Sequence, residues 1–340
     1  MSWVNAVVQG VFLGGLYALF ACGLSLMFGV MRIINLAHGD LAVLGAFAVW
    51  EVATTTHLSP FLALIPVLPV MLILGYVLHR TLLARSLRGG VLTPLLTTFG
   101  LAIALQNAML QVFSPDVRSL GALTGTISTG SWRLTRQLSV PYLGLLILAV
   151  AVLVLGGLQL MLRRTAFGRQ MRATAQDADT AALVGVPAPS VYAGATAIAV
   201  ATASLAGAFL AIHSTFDPSS GPTQLIFAFE AVVIGGLGSL WGTLGGGIVL
   251  GIAQTLGANI NPQYSVLAGH LVFLAVLASR RGRFLASGSV ATCPPSRRHV
   301  HSGRCAGPAA PPGSGQRASW CWGSRCSRYP RCSRPTSSSN

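Results

Sequence analysis

Three polar side chains stand close together near the start of an otherwise apolar chain. Asn35, His38 and Asp40 lie between two long runs of apolar residues. Asn35 is placed to cap the helix that follows by accepting hydrogen bonds from its unpaired N–H groups, and Gly39 would allow another backbone to approach closely. Ionisable groups near a membrane are costly unless they face protein or water. The segment therefore predicts either a hydrogen-bonded turn at the membrane interface or part of a transport pathway or gate.

A second candidate is Glu230, after which the chain has no further acidic residue. An acid inside a membrane span indicates a functional site, whereas an acid near the outer interface would simply be reached by water, and both interpretations remain open. Gly235, Gly236 and Gly238 follow it closely. Glycines at this spacing favour close helix packing or a tight turn, so they would shape a pathway without contacting a solute chemically.

The sequence predicts neither a catalytic nor a metal-binding site. His38, His213 and His270 are far apart, and no set of Ser, His and Asp residues stands at a recognisable spacing. The Cys and His residues in the range 293–305 match no familiar zinc pattern. A passage through a membrane requires neither kind of site.

The composition places these groups in a membrane protein. Of the 340 residues, 53% are hydrophobic and 9% are charged, whereas a soluble domain has about a quarter charged residues. Apolar runs as long as the roughly 20 residues that span a bilayer core recur along the chain. Since backbone groups in lipid must be paired internally, each run predicts a helix. We therefore predict an all-α, polytopic integral membrane protein.

Nine apolar runs can be distinguished, and we predict eight or nine transmembrane helices because the first two runs are poorly separated. The runs lie at about residues 4–31, 35–52, 61–79, 91–113, 141–162, 191–212, 226–240, 243–258 and 264–279. With nine spans, eleven arginines fall in the connections on one side and three on the other. The positive-inside rule then puts the N-terminus outside and the C-terminus in the cytoplasm.

The chain divides into an apolar part, 1–284, and a tail, 285–340. After residue 285 the tail has only Val290 and Val300 among Val, Ile, Leu and Phe, together with many Ser, Arg, Pro and Cys residues. Such a composition cannot form a core, so we expect the tail to be disordered. A GC-rich gene translated out of frame gives a similar composition, and we expect a frameshift near the end of the last span. A genuine disordered extension is the alternative.

Three segments stand out when they are taken together. They are residues 23–40, GLSLMFGVMRIINLAHGD, residues 168–185, GRQMRATAQDADTAALVG, and residues 229–246, FEAVVIGGLGSLWGTLGG. The first closely resembles the N-terminal signature of LivH-type permeases, the membrane subunits of branched-chain amino-acid ABC importers. The second resembles the cytoplasmic loop of this family, and the third resembles its glycine-rich stretch. The three motifs stand in the family's order, and the likeness covers about residues 5–279.

The resemblance implies a mechanical role for the stretch 163–189. Permeases of this family place a short cytoplasmic helix in a groove of an ATP-hydrolysing subunit, which transmits nucleotide-driven movement to the spans. Small alanines would allow close docking, and Gly185 can end the helix in a left-handed turn. The loop of this family has an acid-Ala-Ala-x-x-x-Gly core, which corresponds to residues 179–185 of this chain. Asp179 and Thr180 depart mildly from that pattern. An amphipathic helix lying on anionic lipid is the alternative. The predicted ATPase-coupling residues are Gly168, Arg169, Arg172, Ala173, Ala175, Asp177, Ala181 and Gly185.

The resemblance also implies partners and a location. They are a second, similar permease, two ATP-binding subunits and a periplasmic or lipid-anchored solute-binding protein, assembled in the bacterial inner membrane. The chain has no lysine, which a Walker A motif requires, so we expect no cofactor on this chain and ATP use by the partner subunits. Leucine, isoleucine and valine are the expected solutes, while urea, short amides and aromatic acids remain open.

Other functional classes fit less well. The net charge is +15, but no basic groove with interleaved aromatic residues indicates a nucleic-acid partner. An ion-coupled secondary transporter would need ionisable residues near the midplane, for which only Glu230 and Asp40 are available. A membrane enzyme would need a cluster of polar residues that the sequence does not show.

Overall fold

A computed structural model describes residues 3–90, 92–135 and 138–287 of the chain. The predicted tail, except for its first three residues, lies outside this part. The predicted all-α class is confirmed, since the described residues are mostly helical. In the polar loop before the fifth apolar run, a short antiparallel ribbon is formed by β1 (Ser131–Thr135) and β2 (Leu138–Pro141).

Nine long helices and four short ones follow one another along the described part of the chain. The long helices are α1 (Trp3–Met31), α2 (His38–Thr56), α3 (Pro60–Leu78), α5 (Leu92–Phe113), α7 (Tyr142–Arg164), α10 (Ala188–His213), α11 (Gly221–Gly235), α12 (Leu240–Ile260) and α13 (Tyr264–Ser287). The short helices are α4 (Ala84–Ser86), α6 (Thr126–Thr129), α8 (Ala166–Gln176) and α9 (Ala178–Leu183). A π-helical turn, His79–Leu83, continues α3 into α4.

Each predicted apolar run corresponds to one long helix, but the number of spans stays a prediction. In the part of the chain that the structure describes, six helices are long and apolar enough to cross a bilayer, and α2, α11 and α13 are not among them. The seventh run was predicted about five residues too late, at 226–240. Its helix begins at Gly221 because Pro222 suits the first turn. It ends at Gly235 because Gly236 has a φ of +100°.

The interior of the bundle consists mainly of α1 and α10. Every residue from Gly14 to Met27 is buried, as expected for a helix that is apolar on all sides. By contrast, α3, α5 and α7 expose large apolar side chains such as Ile65, Leu96 and Leu153. These outer faces suit contact with lipid or with another membrane protein.

Helices α1 and α12 cross closely because glycines line their contact. A Cβ atom added to Gly14 would overlap the backbone of Ile248, and one added to Gly251 would overlap the backbone of Gly10. Without a hydrophobic force between helices in lipid, small residues that let backbones approach are the usual source of tight packing. The seam between α1 and α12 therefore depends on residues without side chains.

Replacing Gly14 by valine is expected to destabilise the bundle by about 1–3 kcal/mol or more, as overpacking does when the neighbour is backbone and cannot move aside. The apparent melting temperature in detergent measures the effect. Gly157→Val is the matched control, because a Cβ at Gly157 in α7 has no described neighbour within 4 Å. Equal melting temperatures for the two variants would contradict the proposed importance of the seam.

Candidate functional site

The N-terminal ends of α2 and α11 meet inside the protein. A Cβ atom added to Gly39 would overlap the carbonyl oxygen of Gly221, and one added to Gly221 would overlap the carboxylate of Asp40. The first N–H groups of a helix lack partners within the helix and carry partial positive charge. Two helix ends of this kind therefore lie next to one buried carboxylate.

This meeting point lies beside the middle of α1. His38 is the first residue of α2, and its Nε2 atom lies 3.0 Å from the carbonyl oxygen of Phe20. Phe20 precedes the end of α1 at Met31 by eleven residues, about 16 Å along the helix. Helix α11 has 15 residues, so it is about 22 Å long and shorter than a bilayer core of about 30 Å. Helix α11 therefore resembles a half-helix of a discontinuous membrane span.

Asn35 closes the turn that leads into α2, and the prediction that it caps the helix is wrong. Its Oδ1 atom accepts a hydrogen bond from the N–H of Ala37 at 3.0 Å. The helix begins only at His38, and Ala37 occupies the cap position without a side-chain hydrogen bond. Because Asn35 precedes the helix by three residues, its side chain reaches the intervening turn and not the first turn of α2.

Helix α5 contributes two polar contacts to the same segment. The Nε2 atom of Gln106 donates to Oδ1 of Asp40 at 2.9 Å. The N–H of Leu36 donates to the hydroxyl oxygen of Thr98 at 3.2 Å. Asp40 is 1% exposed, and a hydrogen bond is electrostatically stronger in such surroundings than in water. Gln106 was not among the predicted site residues, although a glutamine within an apolar run was a usable signal.

We refer to Asn35, His38, Gly39, Asp40, Gln106 and Gly221 together as the Asp40 cluster. Of the predicted pathway residues, the structure brings Asn35, His38, Gly39 and Asp40 together in this cluster. Glu230 is not part of it. It follows Gly221 by nine residues on α11, about 14 Å along the helix.

Glu230 is buried in α11 and pairs with a histidine of α13. Its Oε1 atom contacts Nδ1 of His270. Glu230 is 3% exposed, which favours a buried functional or structural group over an acid that water reaches freely. The pair was missed because its members are forty residues apart in the sequence and lie on different helices.

A second polar pair adjoins this one. The Phe227 ring lies 5.1 Å from the Tyr17 ring and 6.2 Å from the His270 ring. The hydroxyl of Tyr17 donates to Oε1 of Gln254 at 2.5 Å. Among the described residues, the second carboxylate oxygen of Glu230 and the Nε2 atom of Gln254 have no hydrogen-bond partner. Incompletely satisfied polar groups of this kind are costly in an apolar interior.

The predicted glycine-rich turn joins α11 to α12. Gly236 and Gly238 have φ angles of +100° and +83°, which residues with a Cβ atom rarely adopt. A Cβ atom added to Gly235 would overlap the backbone of Gly242, and one added to Gly238 would lie 3.5 Å from Cα of Gly29. These glycines therefore serve a tight turn and close packing.

On the arginine-rich side, α8 folds back against the end of α7. The hydroxyl oxygen of Thr165 accepts from the N–H of Gly168 at 3.0 Å and caps α8. A Cβ atom added to Gly168 would overlap the backbone of Leu162. The guanidinium of Arg172 donates to the carbonyl oxygen of Leu162, and both Arg172 and Arg169 are exposed. Gly168 and Arg172 thus fasten α8 to α7, and Arg169 stays accessible.

Asp177 caps the second cytoplasmic helix, α9. Its carboxylate accepts from the N–H groups of Asp179 at 3.0 Å and Thr180 at 3.2 Å. The Thr180 hydroxyl also donates to it at 2.5 Å, and this hydrogen bond is the main reason why the pKa of the Asp177 carboxyl lies below its usual value. The Asp177 carboxylate is therefore engaged within the chain. Ala173 and Ala175, two further predicted coupling residues in α8, are half-buried.

Helix α9 ends in an exposed apolar tip. Gly185 has a φ of +84° and its N–H donates to the carbonyl oxygen of Ala182 at 3.0 Å, the left-handed end that the sequence predicted. Leu183 and Val184 are 87% and 77% exposed, whereas Ala181 is 4% exposed. The small-residue face thus points partly inward. The two large apolar side chains were missed, although apolar residues just before a helix-ending glycine in a polar stretch could have indicated them.

The buried clusters offer charge and hydrogen bonding. The carboxylates of Asp40 and Glu230 and the two helix ends can bind polar groups of a solute or an ion. Within residues 3–90, 92–135 and 138–287, no group of three or more His, Cys, Asp or Glu side chains could hold a metal ion.

Comparisons with known proteins agree with this architecture. Residues 6–277 match the family model described as branched-chain amino acid transport system / permease component. The chain is 32% identical to the high-affinity branched-chain amino acid transport system permease protein BraD of Pseudomonas aeruginosa, over 81% of this chain and 93% of that protein. It is 27% identical to LivH of Escherichia coli K12, a protein of the same description, over 82% of this chain and 93% of LivH.

A third relative has a name that refers to a different solute. The chain is 27% identical to the fructose import permease protein FrcC of Rhizobium meliloti, over 72% of this chain and 69% of that protein. No solved structure matches the chain.

Proposed function

Because the chain belongs to the family of permease components of branched-chain amino acid transport systems, we propose that it forms the passage of an ATP-driven importer for leucine, isoleucine, valine or a similar small solute. The chain is a multi-pass membrane protein. The family match over residues 6–277 is the observation that carries the proposal. The meeting of two helix ends at a buried acid supports it, because discontinuous helices are a common way to line a solute site within a membrane.

We assign the gate of the passage to the Asp40 cluster. An amino acid has a carboxylate, which the N-terminal ends of α2 and α11 would attract, and an ammonium group, which Asp40 would attract. The cluster is closed in this conformation, since Asp40 and His38 are buried. Opening would require α2 and α11 to separate at Gly39 and Gly221, where their backbones now touch.

We assign coupling to α8 and α9. An ATP-binding subunit would grip the exposed tip at Leu183 and Val184, and Arg169 would face acidic groups beside it. The contacts of Gly168 and Arg172 with Leu162 would pass the movement to α7. The importer would contain this chain, a second permease, two ATP-binding subunits that hydrolyse ATP, and a periplasmic or lipid-anchored binding protein. The arginine-rich loops favour a position of α8 and α9 on the cytoplasmic side, which would be that of a bacterial inner membrane.

The solute is the least specific part of the proposal. The names of BraD and LivH refer to branched-chain amino acids, and that of FrcC refers to fructose. Urea, short amides and aromatic acids stay as alternatives within the same class. An ion-coupled transporter is the alternative from another class, favoured by the buried pair of Glu230 and His270, since intramembrane ionisable groups often serve ion coupling.

Reconstitution in proteoliposomes tests both classes. With its partner permease, ATP-binding subunits and leucine-loaded binding protein, the chain is expected to accumulate radiolabelled leucine only when ATP is present. A control complex whose ATP-binding subunits lack the Walker A lysine should accumulate none. Uptake driven by an ion gradient in the absence of ATP, and abolished by an ionophore, would contradict the importer and support the ion-coupled alternative.

A further inference from the structure

A cavity of about 300 Å³ lies between α8 and the adjoining ends of α1, α7 and α12. Leu26, Met171 and Leu240 are among its apolar lining residues, and Arg163 and Arg172 are its charged ones. Its volume is at the lower end of the roughly 300–1,000 Å³ typical of small-molecule sites. The cavity is therefore large enough for one compact polar group with apolar surroundings.

The charge of the cavity is unbalanced. Arg163 and Arg172 line it, and none of its described lining residues is acidic. Neither arginine forms an ion pair within the described part of the chain. Arg172 is held by the carbonyl oxygen of Leu162. With the Gln159 amide turned so that its oxygen faces Arg163, that oxygen accepts from Nε at 2.8 Å. Two oriented guanidinium groups without an acid favour a bound anion.

A buried hydroxyl in the wall of the cavity points to the same conclusion. Ser25 lines the cavity and is 1% exposed, yet its Oγ atom has no hydrogen-bond partner among the described residues. A helical serine often bonds the carbonyl four residues earlier, as Ser204 does with Val200 at 2.9 Å. A buried polar atom without a partner usually indicates an unseen water, ion or ligand. A ligand oxygen would satisfy it here.

The surroundings of the cavity suit an amphiphile. Leu160 and Leu153, on the outer face of α7, are 60% and 73% exposed, and Leu160 adjoins Gln159 of the cavity wall. An acyl chain could follow this face while its headgroup entered the cavity. Basic pockets between spans on the cytoplasmic side are known to suit anionic lipid headgroups.

We propose that this cavity binds one anionic phospholipid of the arginine-rich leaflet, with its phosphate between Arg163 and Arg172 and its glycerol region near Ser25. The lipid would occupy the space between α8 and α1. It would therefore stabilise the position of α8 that the ATP-binding subunit engages. This goes beyond the transport role and does not depend on which solute is carried.

Native mass spectrometry of the full chain, purified in mixed micelles of phosphatidylglycerol and phosphatidylcholine, tests the proposal. The wild type is expected to retain one phosphatidylglycerol with about tenfold preference or more over phosphatidylcholine. The double variant Arg163→Gln/Arg172→Gln is expected to lose about tenfold or more in affinity for phosphatidylglycerol. The matched control Arg164→Gln/Arg169→Gln removes the same charge from the same segment outside the cavity and should stay within twofold of the wild type.

A second variant separates the cavity from general surface charge. Ser25→Leu fills the cavity without changing any charge and should reduce phosphatidylglycerol retention as strongly as the arginine pair does. Unchanged thermal unfolding of each variant shows that the fold is kept. Equal retention of the two lipids, or equal loss in the control pair, would overturn the proposal. Displacement of the lipid by millimolar inorganic phosphate would also overturn it, by identifying a site for soluble anions.

Discussion

Replacing Gly185 by valine is expected to abolish ATP-driven uptake while the protein still inserts into the membrane. The φ of +84° at Gly185 is strongly unfavourable for a β-branched residue, at a cost of about 1–2 kcal/mol. A Cβ atom added there has no described neighbour within 4 Å, so the effect acts through the backbone and not through packing. Relief of the strain would turn the tip formed by Leu183 and Val184 away from its docking position.

Two measurements make this prediction specific. ATP-driven uptake in proteoliposomes should fall to background, and co-purification of the ATP-binding subunits should weaken in parallel. Gly185→Asn is the matched control, because asparagine tolerates the left-handed conformation better than other residues with a Cβ atom, and it should retain most of the uptake. If the valine variant transports as well as the wild type, the tip of α9 is not the docking element.

Much of the fold could be predicted because a bilayer permits few ways of pairing a backbone. Every apolar run had to become a helix, and arginine clusters marked the ends of several of them. The abrupt change at Arg163 and Arg164 coincides with the end of α7. The polar stretch that follows forms α8 and α9, and the left-handed end at Gly185 followed from the local preference of glycine.

The seventh helix shows the limit of that argument. Hydropathy placed it at 226–240, because the polar residues at 223 and 224 lie outside the apolar run. Pro222 suits the first turn of this helix, whereas the contact of Gly221 with Gly39 and Asp40 of another helix is tertiary. A tertiary contact of this kind has no signal within a sequence window.

The polar partners of the site could not be predicted for the same reason. Asp40 is satisfied by Gln106 from 66 residues away, and Glu230 meets His270 from 40 residues away. Each residue was visible as an isolated polar group in an apolar run. The pairs exist only because α5 packs beside α2 and α13 packs beside α11, and one sequence contains no information on which helices become neighbours.

Removing the carboxylate of Asp40 is expected to destabilise the protein and to stop transport. In Asp40→Leu, the half-buried amide of Gln106 loses its acceptor, which costs about 1 kcal/mol, the lower end of the range for a buried group. The substitution also removes the negative charge beside the N-terminal ends of α2 and α11, a favourable arrangement worth about 0.3–1 kcal/mol or more when partly buried. The apparent melting temperature and leucine uptake measure the two effects separately.

The double variant Asp40→Leu/Gln106→Leu separates structure from function. Replacing both partners of a buried hydrogen bond by apolar groups of similar shape can be nearly neutral, so stability should return close to that of the wild type and the double-mutant cycle should show strong coupling. Uptake should not return, because the gate would still lack its carboxylate. Recovery of uptake together with stability would mean that Asp40 only holds α5 against α2, and the pathway would then have to lie elsewhere.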